Sequence, residues 1–111
     1  MITRKARSGV VLLSSTAGLV PSPLNATYHA TQAFVRYLAL AVNEEVKEKK
    51  ARVDVMSLTP GLTTSTLTQF KNEKFKSLST PTDQTVKACL RDIGYEKESC
   101  GSLRHDIVAA V

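Results

Sequence analysis

Apolar residues run without interruption through Gly9-Val10-Val11-Leu12-Leu13-Ser14-Ser15, bounded by a glycine and two serines. A short continuous run of this kind predicts a strand buried on both faces of a parallel sheet. Gly18, Pro21 and Pro23 then break the backbone and predict a loop. From about Asn25 to Lys49 there is neither Gly nor Pro. Phe34, Leu38, Ala41 and Val42 recur there at i, i+4, i+7 and i+8, with Tyr37 and Val46 beside them, which predicts a long amphipathic helix. Glu45 stands four residues before Lys49, and the cationic end suits the helix dipole.

The stretch Arg52-Val53-Asp54-Val55-Met56-Ser57-Leu58 alternates and stops at Thr59-Pro60-Gly61, predicting a second strand. Thr63–Ser79 is rich in Thr, Ser and Lys with weak periodicity, and reads as a loop with one helical turn near Phe70. A second helix is expected to open at Thr80-Pro81, with Thr80 as its cap and Pro81 in the first helical position. Val86, Cys89, Leu90 and Ile93 form its predicted apolar stripe, and Gly94 ends it. Gly101–Val111 is apolar again and is expected to begin with a third strand. Strands alternating with helices predict an α/β domain with a parallel sheet and helical cover.

Composition narrows the choice of partners. The 111 residues are enough for one small domain. Three Phe, three Tyr and no Trp leave few side chains to stack on bases, and the net charge of +5 is dispersed among acids from Arg4 to Arg104. No nucleic-acid partner is expected from that pattern. Cys89 and Cys100 form no Cys-x-x-Cys pair, and with only His29 and His105 besides they assemble no metal site. They read as reduced thiols in an intracellular protein, Cys89 in the core. Val10–Leu13 is far short of a membrane span, so no membrane segment is expected in this chain.

Three local patterns carry the candidate chemistry. Ser14-Ser15 ends the first strand, Tyr28-His29-Ala30-Thr31-Gln32 opens the long helix thirteen residues beyond Ser15, and Pro60-Gly61-Leu62-Thr63-Thr64-Ser65 follows the second strand. Taken together they resemble the C-terminal half of short-chain dehydrogenase/reductases. In that family a strand ending in Ser precedes Y-x-x-x-K on a helix and then a strand ending in P-G-x-V-x-T. Leu12-Leu13-Ser14-Ser15-Thr16-Ala17-Gly18 and the segment from Pro21 to Phe34 are most similar to one branch, the 17-beta-hydroxysteroid dehydrogenase and very-long-chain 3-ketoacyl-CoA reductase group. The resemblance covers nearly all of the chain.

The resemblance implies the last three strands of a Rossmann-type doubly wound sheet, with residues 1–111 as a partial domain that lacks the dinucleotide-binding half. It implies NADP(H)-dependent oxidoreduction of a ketone or hydroxyl on a steroid or a fatty acyl-CoA, and an endoplasmic-reticulum setting. Tyr28 matches the proton donor and Ser15 the hydroxyl that holds the carbonyl oxygen. Pro60, Gly61, Thr63 and Ser65 match the strand end that meets the nicotinamide. Gln32 stands where the family has its lysine; a neutral amide cannot stabilise a phenolate by charge. The five glycines lie far apart, so no Gly-rich turn is present to seat a pyrophosphate. The chain alone is therefore expected neither to bind NADP(H) nor to act as an enzyme. The competing expectation is a non-catalytic module that forms a homo- or hetero-oligomer through helix 26–49. Each residue also has a plainer role: Ser15 as a strand end bonded to local backbone, Tyr28 as half-buried packing, Gln32 as a solvated helix former, and Pro60-Gly61 as a turn. His29 and His105 have no expected partners.

Overall fold

The computed structural model describes residues 5–64 and 77–101. The apolar run forms β1 (Ser8–Leu13), and a 3-10 turn (Thr16–Leu19) follows it. Then come α1 (Ala26–Glu48), β2 (Val53–Leu58), β3 (Thr63–Thr64), β4 (Thr80–Pro81), α2 (Thr82–Asp92) and β5 (Glu98–Ser99). The main sheet has the order β1-β2-β5, and both pairings are parallel. β1 and β2 match along their whole length, from Ser8 opposite Val53 to Leu13 opposite Leu58. β3 and β4 form a separate two-residue parallel ladder.

Side-chain alternation assigns two cores to the two faces of the sheet. On one face Val53 and Val55 pack with Val46 of α1, joined by Val10, Leu12, Val42 and Ala51. On the other, Met56 and Leu58 pack with Cys89 of α2 and Ile93. Met56 is wholly buried, and removing a side chain of that size from water is worth about 1.5–3 kcal/mol. The Cys89 thiol sits in that second core, where burial first and Asp92 second push its pKa up.

α1 ends in a Schellman motif. Ala51 N–H donates to the Val46 carbonyl (3.0 Å) and Lys50 N–H to that of Lys47 (2.9 Å), with Lys50 left-handed at φ 50°. Val46 and Ala51 meet in the core, the apolar contact that accompanies this cap. It turns the chain straight into β2.

Three expectations need correction, and one strand adds to them. The third strand of the main sheet is Glu98–Ser99, where none was expected; it is held by backbone, Ser57 N–H donating to Lys97 (3.0 Å) and Thr59 N–H to Ser99 (2.8 Å). Residues 102–111 lie outside the described residues, as does the turn expected near Phe70. Thr80 does not cap α2. Its N–H donates to Leu62 (2.8 Å) within the β3–β4 ladder, so Pro81 takes the N-cap position and the helix starts at Thr82. The buried face of α2 is Thr85, Ala88 and Cys89, while Val86 and Leu90 point outward. The buried face of α1 is Ala39, Asn43 and Val46; Phe34, Tyr37, Leu38 and Ala41 are exposed. Apolar residues occur on more than one flank of α1, so periodicity alone does not select the flank that meets the sheet.

Candidate functional site

The carboxyl ends of β1 and β2 are tied together beyond the strands themselves. Ser14 N–H donates to the Leu58 carbonyl (2.7 Å) and Thr16 N–H to that of Pro60 (3.1 Å), so the ladder runs on past Leu13. The buried Ser14 hydroxyl donates to the backbone carbonyl of Gln32 at 2.7 Å, fastening this strand end to α1. Ser15 therefore lies between two anchors, one reaching Gln32 and the other Pro60. Its own hydroxyl accepts from Ala17 N–H (3.2 Å) and caps the 3-10 turn. That is the local bond expected of a strand-ending serine, and it leaves the hydroxyl half-buried at the sheet end.

Gly18 makes the close approach of this turn to α1 feasible. A Cβ there would sit 2.8 Å from Ala33 N and from the carbonyl carbon of Gln32, nearer than real Cβ atoms come. The turn thus presses directly on the helix backbone around position 32.

Tyr28 occupies the first turn of α1 and is 52% exposed. Among the described residues its hydroxyl makes no hydrogen bond; its ring packs edge-on against His29, with centroids 6.0 Å apart. Gln32 follows four residues later, about 6 Å along the axis and on the same side of the helix. It is half-buried and uncharged. The next residue on that side, Arg36, does not supply the charge that Gln32 lacks. Its guanidinium is bidentate on Glu98 (2.5 and 2.9 Å), and that hydrogen bonding raises its pKa above the ordinary arginine value.

Pro60 and Gly61 follow β2 at the same end of the sheet. The Thr63 hydroxyl donates to the Gly61 carbonyl (3.3 Å), and Thr63 pairs with Thr80 across the small ladder. Ser65 lies outside the described residues. Backbone and side-chain bonds thus join the segments bearing Ser15, Gln32 and Pro60, with Tyr28 one turn before Gln32. Among the described residues no cluster of His, Cys, Asp or Glu is arranged to hold a metal. No helix among them is long and apolar enough to cross a membrane.

Two residues hold the site in ways that no motif predicts. Ser14 makes the tie to α1, and the Ser14-Ser15 doublet is its only sequence signal, because alternation sends the two hydroxyls to opposite sides. His29, expected to have no partner, has Nδ1 at 2.7 Å from the Val20 carbonyl and holds the loop before α1.

The chain is similar to known proteins. A family model described as short chain dehydrogenase matches residues 1–76. The chain is 35% identical over 106 residues to 17-beta-hydroxysteroid dehydrogenase type 3 of Mus musculus, covering 95% of this chain and 33% of that protein. It is 30% identical over 111 residues to very-long-chain 3-oxoacyl-CoA reductase of Bos taurus, covering 99% of this chain and 34% of that protein. A solved structure from work on 7beta-hydroxysteroid dehydrogenase stereoselectivity matches with a TM-score of 0.81 at 24% identity, a likeness of fold. That match covers 92% of this chain and 41% of the other. The chain spans about a third of the length of the curated relatives it matches.

Proposed function

The chain belongs to the short-chain dehydrogenase family, and from that premise we propose that it carries the carbonyl-binding and proton-transferring part of an NADP(H)-dependent oxidoreductase. Its substrate is a steroid or a 3-ketoacyl-CoA, and the setting is the endoplasmic reticulum that the resemblance implies. The observation that carries the reading is the joined sheet end. Ser14 ties β1 to Gln32, Thr16 ties it to Pro60, and Tyr28 stands one turn away with an uncommitted hydroxyl.

In this reading Ser15 donates its hydroxyl hydrogen to the substrate carbonyl oxygen and Tyr28 delivers a proton to that oxygen, so the ketone becomes an alcohol. The nicotinamide, when bound, supplies the hydride to the carbonyl carbon. Pro60, Gly61, Thr63 and Ser65 would hold its amide end and Gln32 the ribose. The residues present fit that end of the cofactor alone, because the five dispersed glycines provide no phosphate turn. Gln32 also leaves the Tyr28 phenol without a neighbouring lysine to stabilise a phenolate by charge. These 111 residues by themselves are accordingly inactive.

A chimera tests this. The dinucleotide-binding half of a very-long-chain 3-oxoacyl-CoA reductase is joined in frame to this chain and assayed with NADPH and a 3-ketoacyl-CoA. The chimera is expected to turn over slowly, Gln32→Lys to raise the rate, and Tyr28→Phe to abolish it. The isolated chain, with or without Gln32→Lys, is expected to show no turnover. Turnover by the isolated chain, or an active Tyr28→Phe chimera, overturns the reading.

A second reading is favoured by one observation. The outer flank of α1 shows Phe34, 67% exposed, beside exposed Tyr37 and Leu38. An apolar flank of that kind fits a module that pairs through α1 with a copy or a full-length relative. Sedimentation of a Phe34→Glu variant separates the two readings, because only pairing through this flank is lost.

A further inference from the structure

The asparagines of the chain stand in different sequence contexts. Asn43 is followed by Glu44-Glu45 and Asn72 by Glu73-Lys74, whereas Asn25 opens Asn25-Ala26-Thr27. Asn-x-Thr without an intervening proline is the pattern at which an oligosaccharide is transferred to a carboxamide nitrogen, and it is used where it lies on an exposed turn. Asn43 is buried in the core. Asn25 stands on such a turn. Pro21 and Pro23 fix φ in the loop before it. Leu24, left-handed at φ 69°, is fully exposed. Asn25, Ala26 and Thr27 are exposed in their turn.

The backbone and the side chain of Asn25 have different fates. Its carbonyl accepts from His29 N–H (3.1 Å) and so opens α1. Asparagine is among the best residues for capping a helix with its side chain at this position, yet the Asn25 carboxamide makes no cap bond. Among the described residues neither that carboxamide nor the Thr27 hydroxyl has a hydrogen-bond partner. The helix start thus accounts for the carbonyl of Asn25 and leaves its carboxamide idle. A substituent on Nδ2 breaks no bond of the fold.

We propose that Asn25 is an acceptor for N-linked glycosylation. In the transfer, Nδ2 forms a bond to the anomeric carbon of an oligosaccharide carried on a polyprenyl pyrophosphate. The carbon–oxygen bond to that carrier breaks, its electron pair leaves with the pyrophosphate, and Nδ2 gives up one proton. The Thr27 hydroxyl is the group by which the transferase recognises the site. The sugar then stands on the solvent side of the turn, beside the exposed apolar side chains of Val20 and Leu24, which a hydrated chain keeps from associating. The charge-free surroundings suit a neutral substituent, since residues 8–35 hold no Asp, Glu, Lys or Arg. Transfer takes place in the lumen of the endoplasmic reticulum, so where the chain meets the transferase rests on the setting proposed above.

The test separates acceptor from setting. The full chain is expressed in cultured animal cells with an appended cleavable signal sequence and a C-terminal tag that carries its own Asn-x-Thr. The tag's glycan reports delivery to the lumen, whatever compartment the chain occupies by itself. A second glycan is expected at Asn25, removed by peptide N-glycosidase and located by mass spectrometry from the aspartate that this enzyme leaves. Asn25→Gln and Thr27→Ala should each lose that glycan and keep the one on the tag. Thr27→Ser, which retains the hydroxyl, should keep both. The glycosylated chain should melt no lower than the same chain after the sugar is removed, because the carboxamide makes no bond in the fold. A chain glycosylated on the tag alone, or a glycan count unchanged in Asn25→Gln or Thr27→Ala, overturns the proposal. A glycan that lowers the melting temperature does so too, by showing that the carboxamide has a part in the fold. None of these outcomes involves hydride transfer, so they leave the oxidoreductase reading untouched.

Discussion

β1 and β2 have equal length and pair residue for residue, yet they occupy opposite conditions. β2 is buried at five of its six positions, while none of the residues of β1 is buried. The reason is what surrounds each strand. β2 has α1 over one face, α2 over the other, β1 along one edge and β5 beside its carboxyl end. β1 has α1 over one face and, among the described residues, β2 as its single neighbour. Val11 and Leu13 on its other face are 38% and 64% exposed. An apolar run records a demand for burial; the layer that meets the demand lies elsewhere in the chain or in another chain.

The sharpest way to break this contrast is to cut the same kind of atoms from each strand. Met56→Ala should cost about 2–5 kcal/mol, since it removes a fully buried side chain and leaves a cavity. Val11→Ala should cost less than about 1 kcal/mol, because much of that side chain is already in water. Urea denaturation measures both, and equal losses would show that β1 is covered.

Association tests the bare face from the other direction. A strand edge that is unpaired among the described residues and flanked by Val11 and Leu13 invites pairing with another chain. The wild-type chain is expected to self-associate as its concentration rises. Leu13→Lys should weaken that association on the order of tenfold, the equivalent of withdrawing one large apolar side chain. Leu90→Lys, on α2, should have a smaller effect. Sedimentation velocity over a concentration series decides it; a concentration-independent wild-type monomer would mean that β1 is not sticky.

β5 sharpens the comparison because it covers β2 with very little sequence. Two residue pairs join it to β2, and the Arg36–Glu98 ion pair clasps it to α1. Both partners are mostly shielded from solvent, and a charged, bidentate hydrogen bond of this kind is worth about 1–2 kcal/mol. Glu98→Gln should lose that amount. The reversed pair, Arg36→Glu with Glu98→Arg, should recover at least half of it in thermal melts. Failure of the reversed pair to recover would mean that the clasp adds nothing beyond the backbone ladder.

Acid should have the smallest effect. The hydrogen bond from Arg7 holds Asp54 below the usual carboxylate range, and those from Arg91 and Ser99 do the same for Asp92 against the opposing pull of burial. A depressed carboxylate pKa adds stability that is complete above the unfolded value near about 4 and is lost as pH falls through the folded value. Both arginines are mostly exposed, so solvent screening keeps each contribution small. Asp92→Asn should flatten the stability profile slightly below pH about 4. A profile unchanged by the substitution would remove Asp92 from the explanation.

β1, α1 and β2 were legible because long apolar patterns and Gly/Pro punctuation specify them. The buried flank of α1 was not, since Phe34, Leu38 and Ala41 repeat as regularly as Ala39, Val42 and Val46. Asn43 concealed it further: a polar residue sits in the core, where its Nδ2 donates to the Val55 carbonyl. β5 escaped because Glu98 and Ser99 are polar and owe their strand to neighbours far away in sequence. The cap on α2 failed because Thr80 gave its backbone N–H to Leu62. At the candidate site the motif residues were visible, but Ser14 and His29 act through backbone carbonyls at Gln32 and Val20 that no motif displays.

Ser14 and Thr16 tie the segment bearing Ser15 to Gln32 and Pro60, with Tyr28 one turn before Gln32, while Gly9, Gly18, Gly61, Gly94 and Gly101 are too dispersed to form a phosphate turn. If the chain holds the chemistry of the family without its cofactor grip, NADPH should not bind to it. The direct measurement is a titration of NADPH into the purified 111-residue chain, followed by nucleotide fluorescence and by the melting temperature. An occupied site at 100-fold excess over Kd would add about 2.7 kcal/mol to stability. The expected result is a linear fluorescence response and an unchanged melting temperature. Saturable binding at micromolar NADPH, with a matching rise in melting temperature, would contradict it and show that these residues grip the whole cofactor.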